Sequence, residues 1–316
     1  MSLSAPAPQA PRRWLAALQI AASLAMLAGL VAFVDFDALA ARFAAADPVW
    51  MVAGLGVGVA QLVLLGLRWS WLNRRLHLAD GVSAGRHVAM SGLTQGASQV
   101  LPSSIGGDAV RVIALKRLGV AFAPAMLSVA VDRVAGLLGL LGLVLVSLAL
   151  GGVPKGAEDA ATATGIAAIL GAGFVLAGPW IAARPAIVAL ATRLGVERTL
   201  QAGARLLRDP LPALGLFVLS ILPHALNVAM AWCAARALGL HVDASFLMLA
   251  VPLALLVITL PISVAGWGVR EAVLVFVLGL GGMAAHDALA ISVTWGALLL
   301  ALGLLALPPS LYVLRR

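Results

Sequence analysis

Hydrophobic residues in this chain occur in long continuous runs, not in alternation with polar residues. Runs of this kind predict membrane-spanning helices, because about 20 apolar residues in a helix cross the hydrocarbon layer of a bilayer. A transmembrane barrel would instead show short alternating segments. The pattern predicts six full-length spans at 14–34, 49–72, 122–150, 162–183, 211–237 and 286–313.

Two further apolar regions, 86–118 and 245–283, are interrupted by a proline followed by glycines. The interruptions read LPSSIGGD (101–108) and LPISVAGWG (260–268). Proline lacks the N–H that continues a helix, and glycine permits unusual backbone angles. Irregular backbone at membrane depth is tolerated only where it is buried in protein or lines a wet cavity. The predicted fold is therefore an all-α polytopic membrane protein with six full spans plus two re-entrant or broken helical hairpins, or eight transmembrane helices if the hairpins are counted.

The two interruptions are also the centre of an internal repeat. LPSSIGGDAVR (101–111) and LPISVAGWGVR (260–270) are identical at six of eleven positions, and each half reads as span, span, broken segment, span. Three crossings per half place the second half in the opposite sense, which predicts an inverted-topology repeat with a binding site between the breaks. The alternative is a duplication whose breaks serve packing only. The predicted organisation is a cytoplasmic tail (1–13) and one membrane domain of two repeats, 14–155 and 156–316.

The composition excludes a soluble domain and several kinds of site. Hydrophobic residues make up 62% of the chain and charged residues 11%, whereas soluble domains average about 25% charged. The single cysteine, Cys233, excludes an intramolecular disulfide and a cysteine-cluster metal site. The net charge is +8, but no basic run carries interleaved aromatics, so nucleic acid is not an expected partner.

The basic residues predict the orientation of the chain. Sixteen of the 21 Lys and Arg residues fall on one side of the predicted spans and three on the other. This bias predicts a multi-pass protein of the bacterial cytoplasmic membrane with both termini in the cytoplasm. Arg68, Arg74 and Arg75 stand beside Trp69 and Trp71 at a span end, and ordinary interfacial anchoring is the first interpretation of that group.

Charged residues near the breaks are the main candidates for a binding site. A charge inside a span costs about 2.5–3.5 kcal/mol and usually faces a bundle interior or a wet cavity. Asp132 is expected to neutralise an arginine from a break, and Arg133 to meet Glu271. The alternative is a purely structural network in which all six charges neutralise one another. The six residues are Asp108, Arg111, Asp132, Arg133, Arg270 and Glu271.

Arginine suits an anionic ligand because its planar fork binds phosphate through two parallel hydrogen bonds. Glycine-rich backbone at the start of a helix adds N–H donors and the positive end of the helix dipole. His224 and Asn227 are expected to make interhelical hydrogen bonds instead. The remaining candidate binding residues are Ser104, Gly106, Gly107, Ser263, Gly266, Gly268 and, before the first break, Gln99.

Enzyme motifs are absent: there is no HExxH, GxSxG, Walker A or dinucleotide fingerprint. No catalytic residue, metal ligand or cofactor is predicted. An intramembrane enzyme stays open as an alternative, because Asp108 and Asp132 are able to act as acid or base.

Three short blocks carry a resemblance to a known family. They are Pro-Ser-x-x-Gly-Gly-Asp-x-x-Arg (102–111), the Asp132-Arg133 pair, and Pro-x-Ser-x-x-Gly-x-Gly-Val-Arg-Glu (261–271). In this order they resemble the lysylphosphatidylglycerol synthase transmembrane-region, or flippase-like, family over nearly the whole chain. The best-understood members join this module to a soluble aminoacyl-lipid synthase and use it to move the lipid product across the membrane. This chain ends at Arg316 without such a domain, so the resemblance implies a stand-alone member.

The resemblance implies a lipid flippase-like transporter that moves an anionic-headgroup lipid across the inner membrane. The candidate lipids are a phospholipid, an aminoacyl-lipid and a polyprenyl-phosphate lipid, with the headgroup held by Arg111 and Arg270. The alternatives are an intramembrane lipid-modifying transferase and a non-catalytic accessory subunit of a lipid or cell-envelope pathway. The oligomeric state is left open, and a homodimer is one possibility.

Overall fold

The computed structural model describes residues 35–99, 104–150, 158–259 and 266–315, and positions 21, 25 and 29 of the preceding segment. All regular elements in these ranges are helices, which confirms the all-α prediction for this part of the chain. The predicted tail (1–13) and nearly all of the predicted first span (14–34) lie outside the described residues. The helices are α1 (Phe36–Ala44), α2 (Pro48–Leu76), α3 (Ala84–Ser98), α4 (Ser104–Arg117), α5 (Phe122–Ala149), α6 (Glu158–Leu176), α7 (Gly178–Ala182), α8 (Pro185–Arg193), α9 (Glu197–Arg208), α10 (Pro210–Ala237), α11 (Ala244–Thr259), α12 (Val269–Leu280) and α13 (Ala285–Arg315).

Four of these helices, α2, α5, α10 and α13, are long and apolar enough to cross a membrane. They match four of the predicted spans to within a few residues. Local signals set their ends: the Asp47 carboxylate accepts a hydrogen bond from the Val49 N–H at the start of α2, as helix-capping residues do. At the other end, His77 adopts a left-handed conformation that closes the helix.

The predicted span 162–183 is not one helix. α6 ends at Leu176, and the short helix α7 begins at Gly178 with Pro179 in its first turn. A proline at this point cannot donate the hydrogen bond that would continue α6. α8 and α9 then follow as separate helices, so the predicted count of six full spans is not reproduced in the described part of the chain.

Both interrupted regions consist of two short helices that pack against each other, α3 with α4 and α11 with α12. Residues 100–103 and 260–265, between these helices, lie outside the described residues. The predicted break at 101–108 extends too far, because α4 already begins at Ser104. Gly106, Gly107 and Asp108 therefore belong to the first turns of α4, not to a loop before it.

The long helices α2 and α10 run antiparallel. The Asp47 N–H at the start of α2 donates to the Ala237 carbonyl at the end of α10, at 2.7 Å. Further along, a β-carbon at Gly58 would lie 3.0 Å from the Met230 methyl. Small residues let the two backbones approach closely, as is common between membrane helices.

Each hairpin packs on the last long helix of the other half, α3 on α13 and α11 on α5. The Gln95 amide donates to the Leu299 carbonyl at 3.3 Å, and Gly96 packs against Gly303 and Leu307. The first helix of each hairpin therefore contacts the other half, while the second helix packs on the last long helix of its own half, α4 on α5 and α12 on α13. This arrangement holds both hairpins inside the bundle.

Candidate functional site

A buried carboxylate on α5 joins three helices. Asp132 accepts hydrogen bonds from Arg68 Nε at 3.0 Å and from Arg111 Nη2 at 2.7 Å. Arg68 belongs to α2 and Arg111 to α4. All three residues are less than a tenth exposed. The pairing compensates charges that would otherwise be very costly to bury.

The chain of charges continues toward the surface through Asp108 and Arg133. Arg133 Nε donates to Asp108 Oδ2 at 2.7 Å, and Arg111 Nη1 lies 4.0 Å from Asp108 Oδ1. The Arg133 side chain is 40% exposed, which makes it the most accessible arginine of the group. Within the residues that the structure describes, the first charged cluster comprises Arg68, Asp132, Arg111, Asp108 and Arg133, with three positive and two negative side chains.

Neutral hydrogen bonds fix the position of Arg111. Its guanidinium carbon lies 3.7 Å from the centre of the Trp69 ring. The Trp69 indole donates to the Ser128 hydroxyl at 2.8 Å, and that hydroxyl donates to Asn73 Oδ1 at 2.6 Å. Asn73 Nδ2 in turn bonds to His87 on α3. These contacts connect α2, α3 and α5 around the arginine and pre-set its orientation.

Two donors in this cluster have no partner within the described residues, Arg68 Nη1 and Arg111 Nε. Unpartnered buried donors are rare in proteins. Gly136 lies next to the Arg68 guanidinium, and the Gly136 carbonyl bonds to His224 at 2.9 Å. Among the described residues, the cluster thus combines an excess positive charge and two unused N–H groups, which suit an anion, with one unpartnered carboxylate oxygen, Asp108 Oδ1.

The second charged cluster, Arg270 with Glu271, is neutral and closed. Arg270 Nη2 donates to Glu271 Oε1 at 2.6 Å, and the other carboxylate oxygen accepts from the Gly268 N–H, also at 2.6 Å. Ser292 on α13 donates to the same carboxylate. A β-carbon at Gly296 would overlap with the Arg270 guanidinium, so the arginine lies directly against α13 at this glycine.

The sequence predicts that Arg133 meets Glu271, but the structure gives these two residues different partners. Arg133 bonds to Asp108, and Glu271 bonds to its neighbour Arg270. The reason is that α4 packs against α5, whereas α12 packs against α13. Asp132 does neutralise an arginine from a break, Arg111, as expected.

Glycines near the breaks serve close packing and helix starts. Gly107 is buried against Thr94 of α3, and Gly106 is half-buried in the first turn of α4. Gly266 and Gly268 have positive φ angles, 83° and 85°, a conformation that residues with a β-carbon rarely adopt. Gly268 also caps α12 through its bond to Glu271.

Within its described part, the structure gives no contact that supports a binding role for three of the candidate residues, Ser263, Ser104 and Gln99. Ser263 lies outside the described residues, as does the side chain of Ser104. The backbone of Gln99 closes α3. Within the described residues, no group of three or more metal-ligating side chains comes together.

Arg68 is the site residue that sequence reasoning missed. The interpretation as an interfacial anchor is wrong, because the side chain is only 3% exposed and pairs with Asp132. Its position inside the apolar run 49–72 was the available signal, since charges inside spans usually face the bundle interior.

The chain matches the family described as "Lysylphosphatidylglycerol synthase TM region" over residues 16–306. It therefore belongs to this family and is an integral membrane protein. The match covers both charged clusters and both interrupted regions. A search of curated proteins gave no match.

Proposed function

We propose that the chain is a flippase-like transporter that moves a lipid with an anionic headgroup across the bacterial inner membrane. A phospholipid, an aminoacyl-lipid and a polyprenyl-phosphate lipid all present a phosphate to the protein. The observation that carries the proposal is the first charged cluster, which places three arginines against two aspartates between membrane helices. The excess positive charge suits a phosphate.

The cluster provides a sequence of contacts for such a headgroup. Arg133 is the accessible arginine and meets the phosphate first, in exchange for its contact with Asp108. The unpartnered Arg111 Nε and Arg68 Nη1 lie deeper and offer further donors. Asp132 keeps both buried arginines in place while the lipid passes. The hydrocarbon chains of the lipid stay in the bilayer.

The proposed transport cycle uses an inverted repeat. Three features support that repeat: the shared motif of the two breaks, the antiparallel course of α2 and α10, and the matching contacts of the two hairpins, α3 on α13 and α11 on α5. Rocking of one repeat against the other would open the cluster to each side in turn.

The proposed orientation places both termini in the cytoplasm. The excess of arginine on that side persists even when the buried Arg68 and Arg111 are set aside. The positive-inside rule depends on basic residues close to span ends. Arg74, Arg75 and Arg117 are exposed residues of this kind.

The second charged cluster has a different role in this proposal. Arg270 is expected to fix the second hairpin to α13, not to hold the headgroup, because its charge is already balanced by Glu271 and its side chain is only 4% exposed. The proposal thus assigns headgroup binding to Arg133 and Arg111 in place of Arg111 and Arg270.

The test is transbilayer movement of fluorescent lipids in vesicles containing the purified protein. We expect headgroup-dependent movement above that in empty vesicles. Arg133→Gln should lower the rate about tenfold or more, since hydrogen bonds to charged groups contribute about 1.5–3 kcal/mol. The matched control is Arg117→Gln, which removes an exposed arginine from α4 outside the cluster.

Several outcomes would overturn the proposal. Equal rates in vesicles with and without protein would exclude flippase activity for the lipids tested. Full activity of Arg133→Gln would remove that arginine from the mechanism. A new covalent lipid product would identify the chain as a transferase. The absence of both a product and transport would favour an accessory subunit.

A further inference from the structure

An apolar cavity of about 460 Å³ lies between the long helices and the segment formed by α7, α8 and α9. Leu72 of α2, with Val131 and Ala135 of α5, forms its inner wall. Ala191 of α8 and Gly203 of α9 face them from the other side. The volume falls in the range of about 300–1,000 Å³ that is typical of ligand pockets.

The lining of the cavity suits hydrocarbon and nothing more polar. Among the described lining residues, Thr199 alone carries a side-chain hydroxyl, and it donates to the Leu76 carbonyl at 3.0 Å. The mouth is formed by Val134, Leu190 and Leu194, which are 45%, 52% and 53% exposed. An open apolar mouth of this kind on a membrane protein gives access to lipid chains from the side.

Positive charge surrounds the same segment. Residues 184–208 contain five arginines and a single acid, Glu197. All five arginines are exposed, and none forms a salt bridge within the described residues. Nearby, Trp180 is 70% exposed. Amphipathic helices with arginine and tryptophan at their margins lie in the interface of anionic membranes.

A smaller pocket of about 260 Å³ lies next to the cavity, on the charged side of α9. It is lined by Arg205, Arg208 and one acid, Glu197, and shares Leu200 and Ala204 with the apolar cavity. The Glu197 carboxylate already accepts hydrogen bonds from Thr192 and Gln201, and the two arginines leave the pocket with a net positive charge. A lipid chain in the large cavity would therefore have its phosphate within reach of two arginines on the same helix. Arginine binds phosphate through paired hydrogen bonds, which a neutral headgroup does not match as well.

We propose that this cavity is a binding site for one hydrocarbon chain of an anionic phospholipid, with the phosphate held by Arg205 and Arg208. The site goes beyond the proposed transport activity, because a lipid can bind here whether or not it is moved. Its inner wall nevertheless borders the first charged cluster. Val131 and Ala135 flank Asp132 along α5, and Leu72 is one helical turn from Arg68.

The test uses phosphatidylglycerol with a photoreactive diazirine in one acyl chain, added to vesicles containing the full chain. We expect ultraviolet light to attach the lipid to peptides of α5 and α9. Ala204→Phe fills the junction of the two pockets, and labelling there should fall about tenfold, which corresponds to about 1.4 kcal/mol of binding free energy. The control is Ala189→Phe, an exposed alanine of α8 outside both pockets.

The headgroup arm compares photoreactive phosphatidylglycerol with a neutral photoreactive diacylglycerol. Arg205→Gln combined with Arg208→Gln should reduce labelling by phosphatidylglycerol and leave labelling by diacylglycerol unchanged. Arg193→Gln, an exposed arginine outside both pockets, controls for loss of general surface charge. Equal losses with both lipids would overturn the assignment of the phosphate to these two arginines.

Other occupants are distinguished at the mouth of the cavity. Benzoylphenylalanine in place of Leu194 should form adducts with phospholipid. Cross-links to a second copy of the chain would show that the cavity is a protein contact and overturn the proposal. The proposal would also be overturned if photoreactive phosphatidylglycerol labelled Ala204→Phe as strongly as the original chain. Lipid labelling without transport would sustain this site while removing the proposed function.

Discussion

Arg68 Nε lies 3.0 Å from Asp132 Oδ1, although the two residues are 64 positions apart in the sequence. The bond joins α2 to α5 in the interior of the bundle. The other carboxylate oxygen of Asp132 binds Arg111 of α4, so that a single carboxylate orders two arginines. This relationship makes Asp132 the residue on which the first charged cluster depends.

Removing the charge of Asp132 should therefore destabilise the protein strongly. Asp132→Asn leaves two buried arginines without their carboxylate, and breaking a buried pair of this kind costs about 3–5 kcal/mol. Thermal unfolding in detergent, followed by size-exclusion chromatography, measures the loss. The control is Asp209→Asn, because Asp209 is exposed and makes no side-chain cap to α10. Equal stability of the two variants would contradict the role given to Asp132.

The hydroxyl of Ser128 should contribute to stability more than that of another buried serine on the same helix. Ser128→Ala leaves the Trp69 indole N–H and Asn73 Oδ1 without partners, at a cost of about 1–3 kcal/mol. Ser147 is also buried, but its hydroxyl has no partner within the described residues. Ser147→Ala should therefore be close to neutral. If the two variants have the same unfolding midpoint, the proposed contribution of the hydrogen bonds of Ser128 is refuted.

A methyl group at Gly296 should disturb the second charged cluster. Gly296→Ala forces Arg270 to move from its contact with Glu271, and overpacking of this kind costs about 1–3 kcal/mol. Gly56→Ala is the matched control, since nothing lies within 4 Å of a β-carbon there. Alanine favours a helix over glycine by about 1 kcal/mol, so the control should be neutral or slightly stabilised. We therefore expect Gly56→Ala to unfold at a higher temperature than Gly296→Ala. The reverse order would contradict the close contact between Gly296 and Arg270.

The antiparallel course of α2 and α10 gives a topological prediction. Single cysteines at His77 and His241, both exposed and just beyond the ends of these helices, should react with an impermeant maleimide from opposite sides of the membrane. Cys233→Ala provides the background, because Cys233 is the one native cysteine. Under the proposed orientation, position 77 is cytoplasmic. Labelling of both positions from the same side would refute the inverted repeat.

The four long helices were predictable because hydrophobicity is local: an apolar run of sufficient length must satisfy its own backbone hydrogen bonds. The interruptions were predictable for the same reason, since proline and glycine act on the backbone where they stand. The start of α4 was placed too late because glycine in a first helical turn is also compatible with a loop. The division of α6 from α7 was missed because the apolar run continues through Pro179.

Hydropathy along the chain was enough to predict the class of protein, the four long helices and the charged residues near the two interruptions, but not the burial of Arg68. The ion pairs could not be predicted before the packing of the helices was known: Arg68 pairs with Asp132, Arg133 with Asp108 and Arg270 with Glu271. The cavity beneath α8 and α9 could not be predicted either. The physical reason is that hydropathy acts along the chain, whereas ion pairs and cavities depend on which helix faces pack together, and the packing brings together residues far apart in the sequence.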